Sequence, residues 1–378
     1  MDDLELLSDY SSYLKHKKEE GKKIIAFLAH DNIPEELIDA AGFVSLRLEF
    51  AGNEEITDES LDYLPSSTCC FAQSCIGLFK LKPPPYDFLK FVDYFIVSNH
   101  CVSDICASEI ITRYFNVSRL NFYLSYTRSD SALKYFELEL LDLKQQLEKI
   151  RGRSIRKDEL HESTLKYNNL KKKLSEINNL KIKGSKKLRI FQKAILYGPD
   201  LLPELENFLE QNKVNSEDTT NNLTDVLLTG CSIFIGDELI DLIEEGGGNI
   251  VYFDTWVGNN YFSQIFDDVT LQKNENPLDL FVIRYKNNIY GDHVIPNYLE
   301  NKISQLENII QEYQNKTGKK LAVILHVLKF CDHISLYQSF IKKILQEKGF
   351  QVLILDRDFS KSSRGQIATR LGAFMEMM

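Results

Sequence analysis

Short continuous apolar runs alternate with helix-like stretches along this chain, and that alternation constrains its fold more than any other feature. Residues 23–29 (Lys-Ile-Ile-Ala-Phe-Leu-Ala) are apolar at consecutive positions, which suits a strand buried on both faces. Pro34 opens a short predicted helix to Ala41, Gly42 stops it, and a strand follows over 43–48. A strand over 92–98, a helix near 104–115 and a strand near 119–124 continue the rhythm. It resumes with strands at 225–229 and 250–254 around a helix at 237–245 that Gly246–Gly248 stop. A last unit has a strand at 321–326, a helix at 334–347 ended by Gly349, and a strand at 351–355. Repeated strand–helix units of this kind form parallel sheets covered by helices.

Residues 130–182 break the rhythm. Leu133, Phe136, Leu140, Leu143, Leu147 and Ile150 recur at spacings of three and four, Gly152 interrupts, and Leu165, Leu170, Leu174 and Ile177 follow. This reads as a helical hairpin, either an arm for a partner or a pair packed on its own sheet. Residues 211–224 are polar and aperiodic and read as an exposed loop near a domain boundary. The expected fold class is α/β, with two Rossmann-like parallel-sheet domains and a helical insert. Residues 1–190 form an N-terminal domain holding the hairpin (about 130–182), and 191–378 a C-terminal one.

Bulk properties exclude several functions. A net charge of −10 argues against a general nucleic-acid binder. The acidic N-terminus is no secretory signal, and no run of about 18 apolar residues exists to cross a membrane. Seven cysteines, with Cys69 and Cys70 adjacent, suit no disulfide framework. The expected location is cytoplasmic. There is no P-loop, no three-glycine dinucleotide fingerprint, no His-Glu-x-x-His and no Gly-x-Ser-x-Gly. Thr229-Gly230-Cys231-Ser232-Ile233-Phe234-Ile235-Gly236 reads as a tight turn.

Ligands in open α/β sheets bind beyond the carboxyl ends of strands. Cys101 follows the strand ending at Ser98, Cys331 the strand ending at His326, Cys231 the strand ending near Thr229, and His30 the first strand. Cys69 lies in a loop after Pro65. Three such thiolates could hold three irons of a [4Fe–4S] cluster in an interdomain cleft and leave the fourth iron open. Equally, the cysteines could be small buried hydrophobes.

The flanking residues carry a family pattern. It begins at Ile33-Pro34-Glu35-Glu36-Leu37-Ile38-Asp39-Ala40-Ala41-Gly42 and continues at Tyr63-Leu64-Pro65. Cys69-Cys70-Phe71-Ala72-Gln73-Ser74-Cys75-Ile76-Gly77 is similar to Cys-Pro-Phe-x-Lys-Ser-x-x-Gly. Asn99-His100-Cys101, Thr229-Gly230-Cys231 and Lys329-Phe330-Cys331-Asp332 follow. The tail, Asp356-Arg357-Asp358-Phe359-Ser360, Gly365-Gln366-Ile367-Ala368-Thr369-Arg370 and Ala373-Phe374, is similar to Glu-x-Asp-Tyr-Ser and Gly-Gln-x-x-Thr-Arg. Taken together the chain resembles the 2-hydroxyacyl-CoA dehydratase family, which also holds benzoyl-CoA reductase subunits and double-cubane cluster proteins.

That resemblance implies a cluster held by Cys69, Cys101 and Cys331. It implies paired subunits, alike or different, and a separate ATP-hydrolysing iron–sulfur activator. The implied reaction is one-electron reduction of an acyl-CoA thioester to a ketyl radical anion, followed by loss of water. The alternatives are an ATP-dependent reductase acting on another small substrate, with a double-cubane [8Fe-9S] cluster that Cys70, Cys75 and Cys106 would complete, and an electron-transfer or structural partner subunit. Cys70 and Gln73 depart from the pattern, as does His100, which stands where the family often has Thr. Pro83-Pro84-Pro85-Tyr86 and Tyr290-Gly291-Asp292-His293 lack the further cysteines of double-cubane proteins.

His30 is expected as a fourth ligand, a proton donor or a plain loop residue, with Cys70 and Cys75 as other candidate fourth ligands. Ser74 and Gln366 are expected to donate to cluster sulfurs. Cys231 is expected as a spare thiol outside the ligand set, Arg370 as paired with an acid, and Asp332 as the cap of the following helix.

Overall fold

The computed structural model describes residues 2–30, 32–214, 222–274, 276–288 and 295–378. Strands β1 (Ile24–Leu28), β2 (Val44–Leu48), β3 (Tyr94–Ser98) and β4 (Ser118–Phe122) form one parallel sheet in the order β2-β1-β3-β4. Strands β5 (Thr224–Gly230), β6 (Gly248–Asp254), β7 (Ala322–Leu328) and β8 (Val352–Arg357) form a second, in the order β6-β5-β7-β8. The two sheets thus share one strand order, as their similar rhythm in the sequence suggests. The division at 190/191 falls within the helix Gly184–Tyr197.

The first sheet shows why unbroken apolar runs were needed. All of β1 is buried: Ile24, Ala26 and Leu28 point into one cluster, Ile25 and Phe27 into another. The second cluster is closed by the hairpin, whose helices are Asp130–Arg151 and Lys157–Asn178. Phe136, Leu140, Leu143 and Leu147 pack there against Ile96, Leu120 and Phe122, so the first helix covers its own sheet. Leu170, Leu174 and Ile177 of the second helix join the opposite cluster, while Leu165 is exposed, off the expected stripe. Gly152 ends the first helix at φ +78, a left-handed conformation that glycine adopts without strain.

Several boundaries differ from the sequence expectation. The helix Leu202–Val214 runs into the polar stretch at 211–224, of which residues 215–221 lie outside the described residues, as does Tyr290-Gly291-Asp292-His293. Strand β7 continues past His326 to Leu328, because that imidazole is itself buried and its Nδ1 bonds Cys231 O at 2.9 Å. The helix expected over 334–347 is two pieces, Asp332–Ser335 and Gln338–Glu347. Helices Asp3–Glu19, Gly184–Tyr197, Tyr298–Thr317 and Arg364–Glu376 were not anticipated. No helix among the described residues is long and apolar enough to cross a membrane.

The carboxyl ends of the two sheets meet at a seam. Beyond β2 the Ala51 N–H donates to Ile235 O at 2.8 Å, and the Ile235 N–H donates to Glu49 O at 2.9 Å. Phe50 and Ile235 form a parallel bridge there. Ion pairs tie the halves further: Arg284, on the helix Pro277–Asn287, grips buried Glu36 with both terminal nitrogens. Lys171 stands 3.8 Å from the same carboxylate.

Burial pushes the Glu36 carboxyl up, but Arg284 and Lys171 outweigh it and hold it at about 2. Lys171 is lowered, not raised, so Arg284 is the effective partner. The depressed carboxyl stabilises the fold fully above its ordinary value of 4.5. That contribution, on the order of 3 kcal/mol, is lost as pH falls from about 4.5 to about 2. Urea denaturation should show stability dropping across that window, and Glu36→Gln should remove much of the drop while lowering stability at pH 7. The same assay should find Leu143→Ala costing about 2–5 kcal/mol and Leu165→Ala within about 0.5 kcal/mol of the parent.

Candidate functional site

Three cysteines stand at one structural position. Cys69 is the N-cap of the helix Cys70–Leu81, Cys101 of the helix Val102–Tyr114, and Cys331 of the helix Asp332–Ser335. The Cys101 sulfur accepts the Asp104 N–H at 3.4 Å, while the backbone N–H groups of Ala72 and Ile334 favour negative charge on Cys69 and Cys331 without a capping hydrogen bond. Cys101 leaves β3 through Asn99, whose side chain clamps the backbone of Leu124 with bonds of 2.9 and 2.7 Å. Cys331 follows Phe330, which turns the chain at φ +62. The first and last of the three lie close across the seam, where the Cys70 N–H donates to Lys329 O at 3.4 Å.

A fourth thiol joins them. Cys231 follows Gly230 at the end of β5, its N–H donates to His326 O at 2.8 Å, and its sulfur accepts the Leu328 N–H at 3.3 Å. Cys331 interacts with the thiols of both Cys69 and Cys231. All four line one cleft of about 530 Å³, its open mouth included. The cleft wall also carries His30, His100, His333, Asp104, Trp256, Asp254 and Lys302.

The rings of His30, His100 and His333 stack, with centroids 5.6 Å apart for the first pair and 4.6 Å for the second. Trp256 stands edge-on to His30 and His100. Burial, then the neighbouring His100 and Arg47, hold the His30 imidazole well below its usual range, so it is neutral at pH 7. Its Nδ1 lies 3.8 Å from Asp104 Oδ2. Burial pushes the Asp104 carboxyl up, against the pull of His100. On the opposite wall, buried Lys302 donates to both Asp254 oxygens at 3.0 and 2.9 Å, and Thr229 Oγ1 donates to the same carboxylate at 2.6 Å.

The three N-cap thiols are held in their protonated form. The hydrogen bond to Cys331 and then burial raise Cys69, burial and Asp104 raise Cys101, and the bond to Cys231 raises Cys331. Helix N-terminal N–H groups favour a thiolate. They are outweighed here by the bonds between thiols, by burial and by neighbouring negative charge. A cationic group bound among the sulfurs would reverse that balance, since coordination deprotonates a thiol. The donor set therefore fits an iron–sulfur cluster. Among the described residues no three His, Cys, Asp or Glu side chains converge as they would on one ion. Cluster irons are spread over several positions, so their thiolates stand further apart.

Of the residues singled out in the sequence, His30, Cys69, Cys101 and Cys331 come together. Ser74 does not join them: it is fully buried and its hydroxyl donates to Cys70 O at 2.8 Å. Gln366 is exposed on the last helix. Arg370 donates to Ile354 O at 2.6 Å and not to an acid. Cys331, not Asp332, is the cap. Cys70 and Cys75 are buried in their helix and Cys106 packs on the core, none of them in the cleft wall. Asp104, Asp254, Trp256, Lys302 and His333 went unrecognised, and Cys231, expected as a spare thiol, lines the cleft with the others. The signal for Cys231 was its place just past a strand.

A family model described as "2-hydroxyglutaryl-CoA dehydratase, D-component" matches residues 32–378, so nearly the whole chain carries the pattern. The chain belongs to this dehydratase D-component family. It is also 24% identical over 358 residues to the "Putative dehydratase subunit YjiM" of Escherichia coli (strain K12), covering 92% of this chain and 89% of that protein. The family model's span includes every N-cap cysteine and Cys231 and begins just after His30 of the cleft wall.

The cleft depends on Gly230. It sits at φ +100, and a Cβ there would lie 2.3 Å from His326 O. Gly230→Ala should cost more than about 2 kcal/mol and displace Cys231. Thermal melts and the rate of thiol labelling would both report it, and an unchanged pair would contradict this geometry.

Proposed function

We propose that the protein is the iron–sulfur subunit of a 2-hydroxyacyl-CoA dehydratase-like lyase. The observation that carries this is the meeting of Cys69, Cys101 and Cys331, each at a helix N-terminus, in one cleft at the sheet seam. These three would hold three irons of a [4Fe–4S] cluster and leave the fourth open to substrate, with Cys231 standing against Cys331 outside the ligand set. When bound, the cluster would supply an electron and a Lewis-acidic iron for a thioester carbonyl. The single-cluster reading is favoured over a double cubane because Cys70, Cys75 and Cys106 lie outside the cleft wall.

The chain's own residues would handle position and protons. Trp256 and the stacked imidazoles narrow the cleft and exclude water. Neutral His30 has a nitrogen able to take a proton from a substrate carbon and pass it to the departing hydroxyl. A second component fits the family's division into components. Val102, Phe330 and Leu336, large and exposed, flank cleft-lining residues in the chain and would be covered by it. A separate ATP-hydrolysing activator would deliver the electron.

The test is turnover. Anaerobic protein combined with a component and activator of this family should convert a 2-hydroxyacyl-CoA to the unsaturated thioester, followed by its absorbance. Cys101→Ala should abolish conversion and Cys75→Ala should retain most of it. Equal loss in both variants, or activity in Cys101→Ala, would overturn the assignment.

A further inference from the structure

A second chamber lies beyond Trp256 and Asn260, which line both it and the thiol cleft. It encloses about 610 Å³, its mouth included, and carries Glu35, Arg47, Lys171, Tyr261 and Arg284 on its walls. Charge is not balanced among these groups. Arg284 is committed to Glu36, as described above. Arg47 donates to Ala29 O at 2.8 Å and faces Glu35 at 3.5 Å. Lys171 is left over. It is 5% exposed, and its nearest acid is the already engaged Glu36 at 3.8 Å, too far for a hydrogen bond. Among the described residues it makes no hydrogen bond.

The Tyr261 hydroxyl points to the same need. Tyr261 is 9% exposed, and its hydroxyl faces Glu35 without making a hydrogen bond of good geometry among the described residues. Its ring lies 5.8 Å from both Lys171 Nζ and the Arg47 guanidinium. A buried ammonium without a close counter-charge is costly, and so is a buried hydroxyl without a partner. Burial, followed by the charge of Arg284, pushes Lys171 down to about 8, as expected of an under-compensated cation.

We propose that this chamber binds a carboxylate anion, with Lys171 as its counter-charge and the Tyr261 hydroxyl as its second donor. Among the described residues, with buried Glu49 pushed up toward its neutral form, Arg47, Lys171 and Arg284 against Glu35 and Glu36 leave one surplus positive charge, which matches a monoanion and not a phosphate dianion. A carboxylate has two oxygens, one for the Lys171 ammonium and one for the Tyr261 hydroxyl, neither of which makes a hydrogen bond among the described residues. The chamber shares Trp256 and Asn260 with the wall of the thiol cleft. The proposal stands apart from the cluster assignment, and its test needs no iron.

Trp256, the chain's only tryptophan, lies in the shared wall and reports occupancy. The full chain would be titrated at pH 7 and constant ionic strength with acetate, propionate and inorganic phosphate while Trp256 fluorescence is followed. A saturable response to the carboxylates, at least tenfold weaker with phosphate, is expected. Lys171→Met should weaken carboxylate binding at least tenfold, Tyr261→Phe severalfold, and Lys171→Arg should retain part of it. Thermal melts establish that each variant is folded; should Lys171→Met fail to fold, Tyr261→Phe and Lys171→Arg carry the test. No saturable carboxylate response, equal binding of phosphate, or unchanged binding in the folded variants would overturn the proposal.

Discussion

The backbone pairing that closes the seam is the contact on which the rest depends. Two reciprocal N–H···O bonds between Glu49–Ala51 and Ile235 carry β2's path onto the second sheet. Each sheet alone would present its carboxyl end to solvent, the usual place for a ligand in an open α/β sheet. Joined at this seam, the two ends face each other across a shared space. Cys69 and Cys101 come from the first half, Cys231 and Cys331 from the second. Neither half holds the thiol set alone.

The site's electrostatics follow from that enclosure. Backbone N–H groups at three helix starts invite negative sulfur, while burial and neighbouring thiols resist it. A cationic group bound among the sulfurs would satisfy both pressures together. Buried charge recurs in the adjoining chamber, where Arg284 satisfies Glu36 and leaves Lys171 with a remote counter-charge. Two neighbouring chambers, one lined by sulfur and one by cations, thus share the wall at Trp256.

Much of the fold was legible because local pattern and tertiary burial agreed. β1 read as a doubly buried strand and is one. The Leu/Phe stripe after residue 130 read as one helix face and covers the sheet. The helix Tyr298–Thr317 was missed because Ile303, Leu306 and Ile310, its buried residues, are spaced out among Asn, Gln and Glu. Cys69, Cys101 and Cys331 were found through their flanking residues. Cys231 was marked by its place past a strand but set aside as a spare thiol; strand pairing, with His326 and Leu328 holding it, brings it to Cys331. Ser74 misled because a hydroxyl in a motif reads as a donor to the site, whereas a helix gives it a nearer acceptor one turn back. Lys171 sits in a Lys-rich stretch that reads as solvated, and its burial is purely tertiary.

The central claim is that the seam assembles a thiolate site for one cluster. The most direct measurement is iron and acid-labile sulfide content of anaerobically reconstituted protein, with electron paramagnetic resonance before and after dithionite. The account predicts about four irons per chain and a reducible signal. Reconstituted, folded protein without iron, or with about eight irons per chain, would contradict it.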